Sequence, residues 1–95
     1  MPHYVLSKAA EDDLAAIARY TIETYGVAQA LAYRDGLIRA FEFLAEFPRA
    51  ARERPELRHG ARVHPCQAHL IVYRIDDDGI FVQRVRHGRE DWIND

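Results

Sequence analysis

Five histidines (His3, His59, His64, His69, His87), a single cysteine (Cys66) and twelve arginines are the side chains of this 95-residue sequence best suited to chemistry. The histidines are scattered, with no HExxH and no paired Cys/His spacing, so a structural zinc site is not expected, and no other metal or cofactor. Cys66 lies near His64 and His69, but Pro65-Cys66-Gln67 reads as a tight turn between strands, where a small residue is expected anyway. The glycines are isolated, so no loop is built to cradle phosphates. Asp76, Asp77 and Asp78 offer three carboxylates in one turn, which without a further ligand reads as a solvated turn.

The densest polar constellation is on the last apolar stretch. Alternation places Arg84 and Arg86 on one face, with Phe81, Val85 and His87 on the other. Arg62, Arg74 and Arg89 are expected to join the exposed side. Guanidinium groups gathered on a strand face suit phosphate or carboxylate recognition. The competing reading is pairing with Asp or Glu, or simple solvation. A general acid or base would be His87, since imidazole titrates near neutrality, and no second catalytic group is placed beside it by the sequence.

These residues must be positioned by the stretch 61–92, ARVHPCQAHLIVYRIDDDGIFVQRVRHGREDW. It reads as strand, short turn, long strand, Asp/Gly turn and last strand, because its apolar residues are mostly β-branched or aromatic. The turn signal is Asp76-Asp77-Asp78-Gly79, Asp bonding its own backbone and Gly accepting positive φ. Upstream, His3-Tyr4-Val5-Leu6 reads as an edge or closing strand. Ser7 is placed to cap a helix, with Glu11, Asp12 and Asp13 near its positive end. Ala10, Leu14, Ile17, Ala18, Thr21 and Tyr25 form its apolar stripe, and Gly26 stops it. Residues 48–60, PRAARERPELRHG, lack apolar periodicity and read as a surface connection pinned by Leu57. The predicted fold is α+β in two layers: a strand, a helical hairpin, then a three-stranded antiparallel meander, with the helices on one face of a largely antiparallel sheet.

The second helix, from about Val27 to Phe47, carries the most informative pattern. Asp35, Arg39, Glu42 and Glu46 crowd into a polar sector of about 60°. Apolar residues occupy the rest of the circumference, broken by Arg34. A helix packed on one neighbour needs a stripe only a little over 100° wide. Either two internal neighbours cover this girdle, or Phe43, Phe47 and nearby side chains form a docking groove for a partner.

The length suits one domain. Net charge is −2 and the pI is near 6.2, which argues against a strong or specific nucleic-acid binder. Residues 1–48 carry a net −3, and residues 49–75 a net +4. One cysteine forms no internal disulfide. No apolar run reaches membrane-spanning length and the N-terminus lacks a signal-peptide layout, so a cytoplasmic protein is expected.

In chain order, S-x-A-A-x-x-D-L from Ser7, Phe47-Pro48-Arg49, R-P-E-L-R-x-G from Arg54 and V-x-R-V-x-H-G-R-x-D from Val82 span nearly the whole sequence. In this it resembles the ParE toxins of the ParE/RelE superfamily, the toxin halves of bacterial toxin–antitoxin pairs. The resemblance implies a RelE/ParE-like fold and a non-enzymatic inhibitor of DNA gyrase that stabilises cleaved DNA complexes. It also implies a ParD-like antitoxin as partner in a hetero-oligomer, its C-terminal segment wrapping the helical hairpin. Leu31, Arg34, Ile38, Phe43 and Phe47 would then meet the antitoxin; Arg62, Arg74, Arg84, Arg86, Arg89 and Trp92 would meet the target. The RelE branch cuts mRNA on the ribosome, and that alternative would use His87 with Arg84 and Arg86 on the scissile phosphate. RelE enzymes are strongly basic, and this chain is not.

Overall fold

The computed structural model describes residues 3–88, the side chain of His59 excepted. Strand β1 (His3–Leu6) leads into helices α1 (Lys8–Tyr25) and α2 (Val27–Glu46). Strands β2 (Arg62–Cys66), β3 (His69–Asp76) and β4 (Gly79–His87) follow. The architecture is the expected two-layer α+β fold. β2, β3 and β4 form the antiparallel meander, and β1 adds to it as an edge strand running parallel to β4, giving the order β1-β4-β3-β2.

Ser7 caps α1 as its type and position require: its Oγ accepts from the Ala10 amide at 2.9 Å. Gly26 separates the helices with φ of 95°, the left-handed region that glycine enters without steric cost. Ala10 and Thr21 are buried and Leu14, Ile17 and Ala18 half-buried, but Tyr25, placed in this stripe from the sequence, is exposed. It sits in the last turn, on the rim of a cleft rather than in the core. Leu37, Phe41, Leu44 and Ala45 of α2 pack on Ile71, Tyr73, Ile80, Val82 and Val85 to form the core. α2 ends at Glu46, with Phe47 as its cap residue.

The Asp turn forms where the sequence places it, with the Asp76 carboxylate accepting from the Asp77 amide at 2.8 Å, but the first hairpin turn and the role of Gly79 differ from the sequence reading. Pro65 and Cys66 belong to β2, and the turn is Gln67-Ala68, with Gln67 at φ 57°. Gly79 does not adopt positive φ. It is needed because it pairs with His3, where an added Cβ would overlap the His3 carbonyl oxygen. The connection 48–60 is pinned less by Leu57 than by buried Ala51 and Ala61. The Tyr73 hydroxyl donates to the Pro48 carbonyl and the Arg62 guanidinium to the Ala51 carbonyl, both at 2.7 Å.

β4 carries a bulge. Tyr73 pairs with Val82 but Val72 with Arg84, leaving Gln83 as an extra residue. Strict alternation therefore fails: Val82 and Val85 both enter the core, and Phe81 falls on the same outer face as Arg84 and Arg86. β1 covers only Gly79 to Val82 of β4, and α1 serves the rest of that edge. Ser7 donates its amide to Val82 (2.9 Å) and its hydroxyl to the Gln83 carbonyl (2.7 Å). The Asp13 carboxylate accepts from the Val85 amide (2.9 Å) and from Nε and a terminal nitrogen of Arg84 (2.8 Å each).

Partial burial alone would push the Asp13 carboxyl up. The Arg84 hydrogen bond, the Val85 amide and the charges of Arg84 and Arg86 outweigh it and hold the group below the usual carboxylate range. Its stabilisation is complete above the unfolded value, near about 4, and is lost as pH falls through the lower folded value. Asp13→Asn should cost about 1–2 kcal/mol at neutral pH and flatten the acid limb of stability below about pH 4, measured by urea unfolding against pH. Ser7→Ala, which removes the cap and the bulge contact together, should cost about 1–2 kcal/mol in the same assay with an unchanged m-value.

Candidate partner-binding surfaces

The strand register decides which predicted site residues meet. Across an antiparallel pair, directly opposed residues share a face. Arg62 opposes buried Tyr73, so it lies on the helix side, where it braces the 48–60 connection and approaches Glu53 at 3.9 Å. It does not join the outer arginines. Arg74, Arg84 and Arg86 do share the outer face, with Phe81. The Arg74 guanidinium stacks 4.7 Å from the centroid of the Phe81 ring, and Arg84 is bound bidentately to Asp13. Pairing with a carboxylate, the competing sequence reading, thus holds for Arg84. Arg89 and Trp92 lie outside the described residues.

His87 is on the opposite face of β4 from Arg84 and Arg86. It opposes His69, and their rings meet edge to face at 5.3 Å between centroids. The Tyr33 hydroxyl, on α2, lies 2.6 Å from His69 Nδ1 and accepts from the Ala68 amide at 3.1 Å. Burial pushes the Tyr33 hydroxyl above its ordinary value despite the opposing Ala68 bond, so it stays protonated at neutral pH. Tyr20, Thr21 and Tyr25 join Tyr33, His69 and His87 around an open cleft of about 640 Å³. Two imidazoles and three phenols are gathered there, and among the described residues neither a guanidinium nor a carboxylate joins the lining. Among the described residues, no group of three or more potential ligands could hold a metal ion. Burial raises the Cys66 thiol, which contacts the Gly36 carbonyl at 3.8 Å, so the thiolate that nucleophilic chemistry needs is disfavoured.

Sequence reasoning missed how the β2–β3 turn docks on α2. Gln67 donates to the Tyr33 carbonyl at 3.1 Å, and a Cβ at Gly36 would stand 2.8 Å from the Gln67 amide nitrogen. A glycine in the middle of a helix was the available signal for such an approach.

The apolar girdle of α2 is only partly covered. Leu31, Phe43 and Phe47 are 55%, 45% and 53% exposed; Arg34 is exposed and Ile38 half-buried. These five fall on two flanks. Arg34 and Ile38 line a groove of about 310 Å³ with Leu14, Ala15 and Ala18 of α1, and Leu31 continues that stripe at helical spacing. Phe43 and Phe47 lie on the other flank. Their rings are 5.3 Å apart, and Phe43 is 6.0 Å from His64 of β2, whose imidazole burial holds below its ordinary value. Exposed Asp35, Arg39, Glu42 and Glu46 run between the flanks.

The model of the ParE toxin of the type II toxin–antitoxin system parDE matches residues 4–92. Toxin ParE1 of Mycobacterium tuberculosis is 38% identical over 89 residues, covering 93% of this chain and 91% of that protein. Toxin ParE3 of Caulobacter vibrioides is 28% identical (94% and 89% covered), and ParE1 of the same bacterium 34% identical (90% and 86%). A chain from the solved chromosomal ParDE TA system of P. aeruginosa has the same fold, with a TM-score of 0.77 at 19% identity over 92% of this chain and 96% of that one. A match across almost the whole sequence, on a sheet and helical hairpin of this topology, makes the chain a member of the ParE toxin family of type II toxin–antitoxin systems.

Proposed function

We propose that this ParE-type toxin acts in the cytoplasm by binding DNA gyrase and is held inactive by a ParD-like antitoxin laid over α2. The observation that carries the antitoxin half is the exposure of Leu31, Phe43 and Phe47 on a helix whose inner side is already sealed by the sheet and α1. Large apolar side chains left in water at helical spacing suit a partner segment docked along the helix. The gyrase half rests on the family resemblance. It is supported by the separation of His87 from Arg84 and Arg86 across the two faces of β4, an arrangement poorly suited to acid–base cleavage of a phosphodiester. The acidic pI of about 6.2 favours a protein target over direct DNA binding.

Purified toxin should inhibit supercoiling by purified gyrase and trap cleaved DNA, and an equimolar antitoxin should restore supercoiling. Normal supercoiling at excess toxin, with translation arrested instead, would transfer the reading to the ribosome-dependent ribonuclease. The variant His87→Ala should leave gyrase inhibition within about twofold. Loss of an mRNA-cleaving activity in that variant would identify His87 as a catalytic group.

A further inference from the structure

We propose that the antitoxin grips α2 at two separate apolar flanks and carries a basic stretch between its two anchoring segments. This rests on the reading that an antitoxin covers α2, and it specifies the chemistry of the segment that does so.

The two flanks are not one groove. Ile38 lines the groove shared with α1 and Leu31 continues its stripe one to two turns earlier, whereas Phe43 and Phe47 open toward His64 of β2 and the Pro48–Ala50 turn. A segment seated in the first flank must step over the ridge of Asp35, Arg39, Glu42 and Glu46 to reach the second. Ile38 and Phe47 are separated by roughly 14 Å along the helix axis and face opposite sides of it, so the crossing takes at least about five extended residues. The ridge presents three carboxylates against one guanidinium, and among the described residues none of these groups is engaged in an ion pair.

Charge complementarity commits the crossing chain to Lys or Arg. Glu42 and Glu46 stand in the last turns of α2, where the outward carbonyls add negative potential. Glu46 also shares an open concavity with Asp76, Asp77 and Asp78, whereas Arg49 is the one cation among the described residues lining the Phe43 and Phe47 flank, so the acidic stretch runs along the ridge and past Glu46. An acidic crossing would bring like charges together at no gain from the apolar anchors. A basic crossing converts the ridge from a barrier into a register mark between the two anchors.

The test uses the full toxin and the purified antitoxin from the adjoining reading frame, with affinity measured by calorimetry. Glu42→Lys combined with Glu46→Lys should weaken binding at least tenfold in about 50 mM salt. In about 1 M salt, where the screening length is near 3 Å, the difference should shrink to within about twofold. Leu31→Asp and Phe47→Asp, both at exposed positions, should each weaken binding at least about thirtyfold, with unchanged unfolding midpoints. An affinity unchanged or improved by the charge reversal at low salt would overturn the basic crossing. An affinity untouched by either Asp variant would overturn the two-flank grip. Failure of the unsubstituted toxin to bind that antitoxin at all would instead reject the functional reading on which the inference rests.

Discussion

β4 is nine residues long and β1 only four, so the outer edge of β4 is half paired by a strand and half left to something else. A buried strand edge cannot be left with open amides and carbonyls, because each unmade hydrogen bond costs about 1–3 kcal/mol. The first two turns of α1 meet that constraint. Ser7 satisfies Val82 and Gln83 while capping its own helix, and Asp13 takes the Val85 amide. The helix that covers the sheet is thereby fixed to it at its N-terminal end by polar contacts as well as by burial of Ala10. With α1 placed, the tight Gly26 turn lays α2 across the sheet beside it.

The same edge carries the bulge at Gln83, and the bulge distributes the chemistry-bearing side chains. It sends Val85 inward after Val82, turns Arg84 and Arg86 outward with Phe81, and returns His87 to the helix side against His69 and Tyr33. Alternation after the bulge separates His87 from Arg84 and Arg86, and the extra residue decides that the imidazole takes the helix side and the guanidinium groups the outer face. The Tyr33–His69–His87 cluster is held by α2, by the Gln67-Ala68 turn and by the end of β4, so it reports on the docking of helix to sheet as much as on any ligand. Arg84, singled out for recognition by its type and position, is committed to holding α1.

α2 is sealed on its inner side by the sheet and on part of one flank by α1. What stays in water is an apolar stripe on each side of a charged ridge, on a helix whose interior residues are fully buried. The uncovered side chains stand on regular secondary structure, where their positions are fixed by the backbone rather than by a loop.

The sequence alone determined what depends on near neighbours. Helix limits followed from Ser7, Gly26 and Pro48; the meander followed from β-branched runs and the Asp turn; the girdle of α2 followed from residue spacing. These are local properties, set by propensity and periodicity over a few residues. Tertiary structure decided the register: the parallel pairing of β1 with β4, the extra residue at Gln83, the clash that demands Gly79, and the assignment of Arg62 to the helix side. It also divided the α2 girdle into two flanks, since a helical wheel gives angles but not which angles a sheet will cover. A one-residue slip leaves composition and propensity unchanged yet exchanges the faces of every side chain that follows. For that reason the functional surface had to be read from the folded chain.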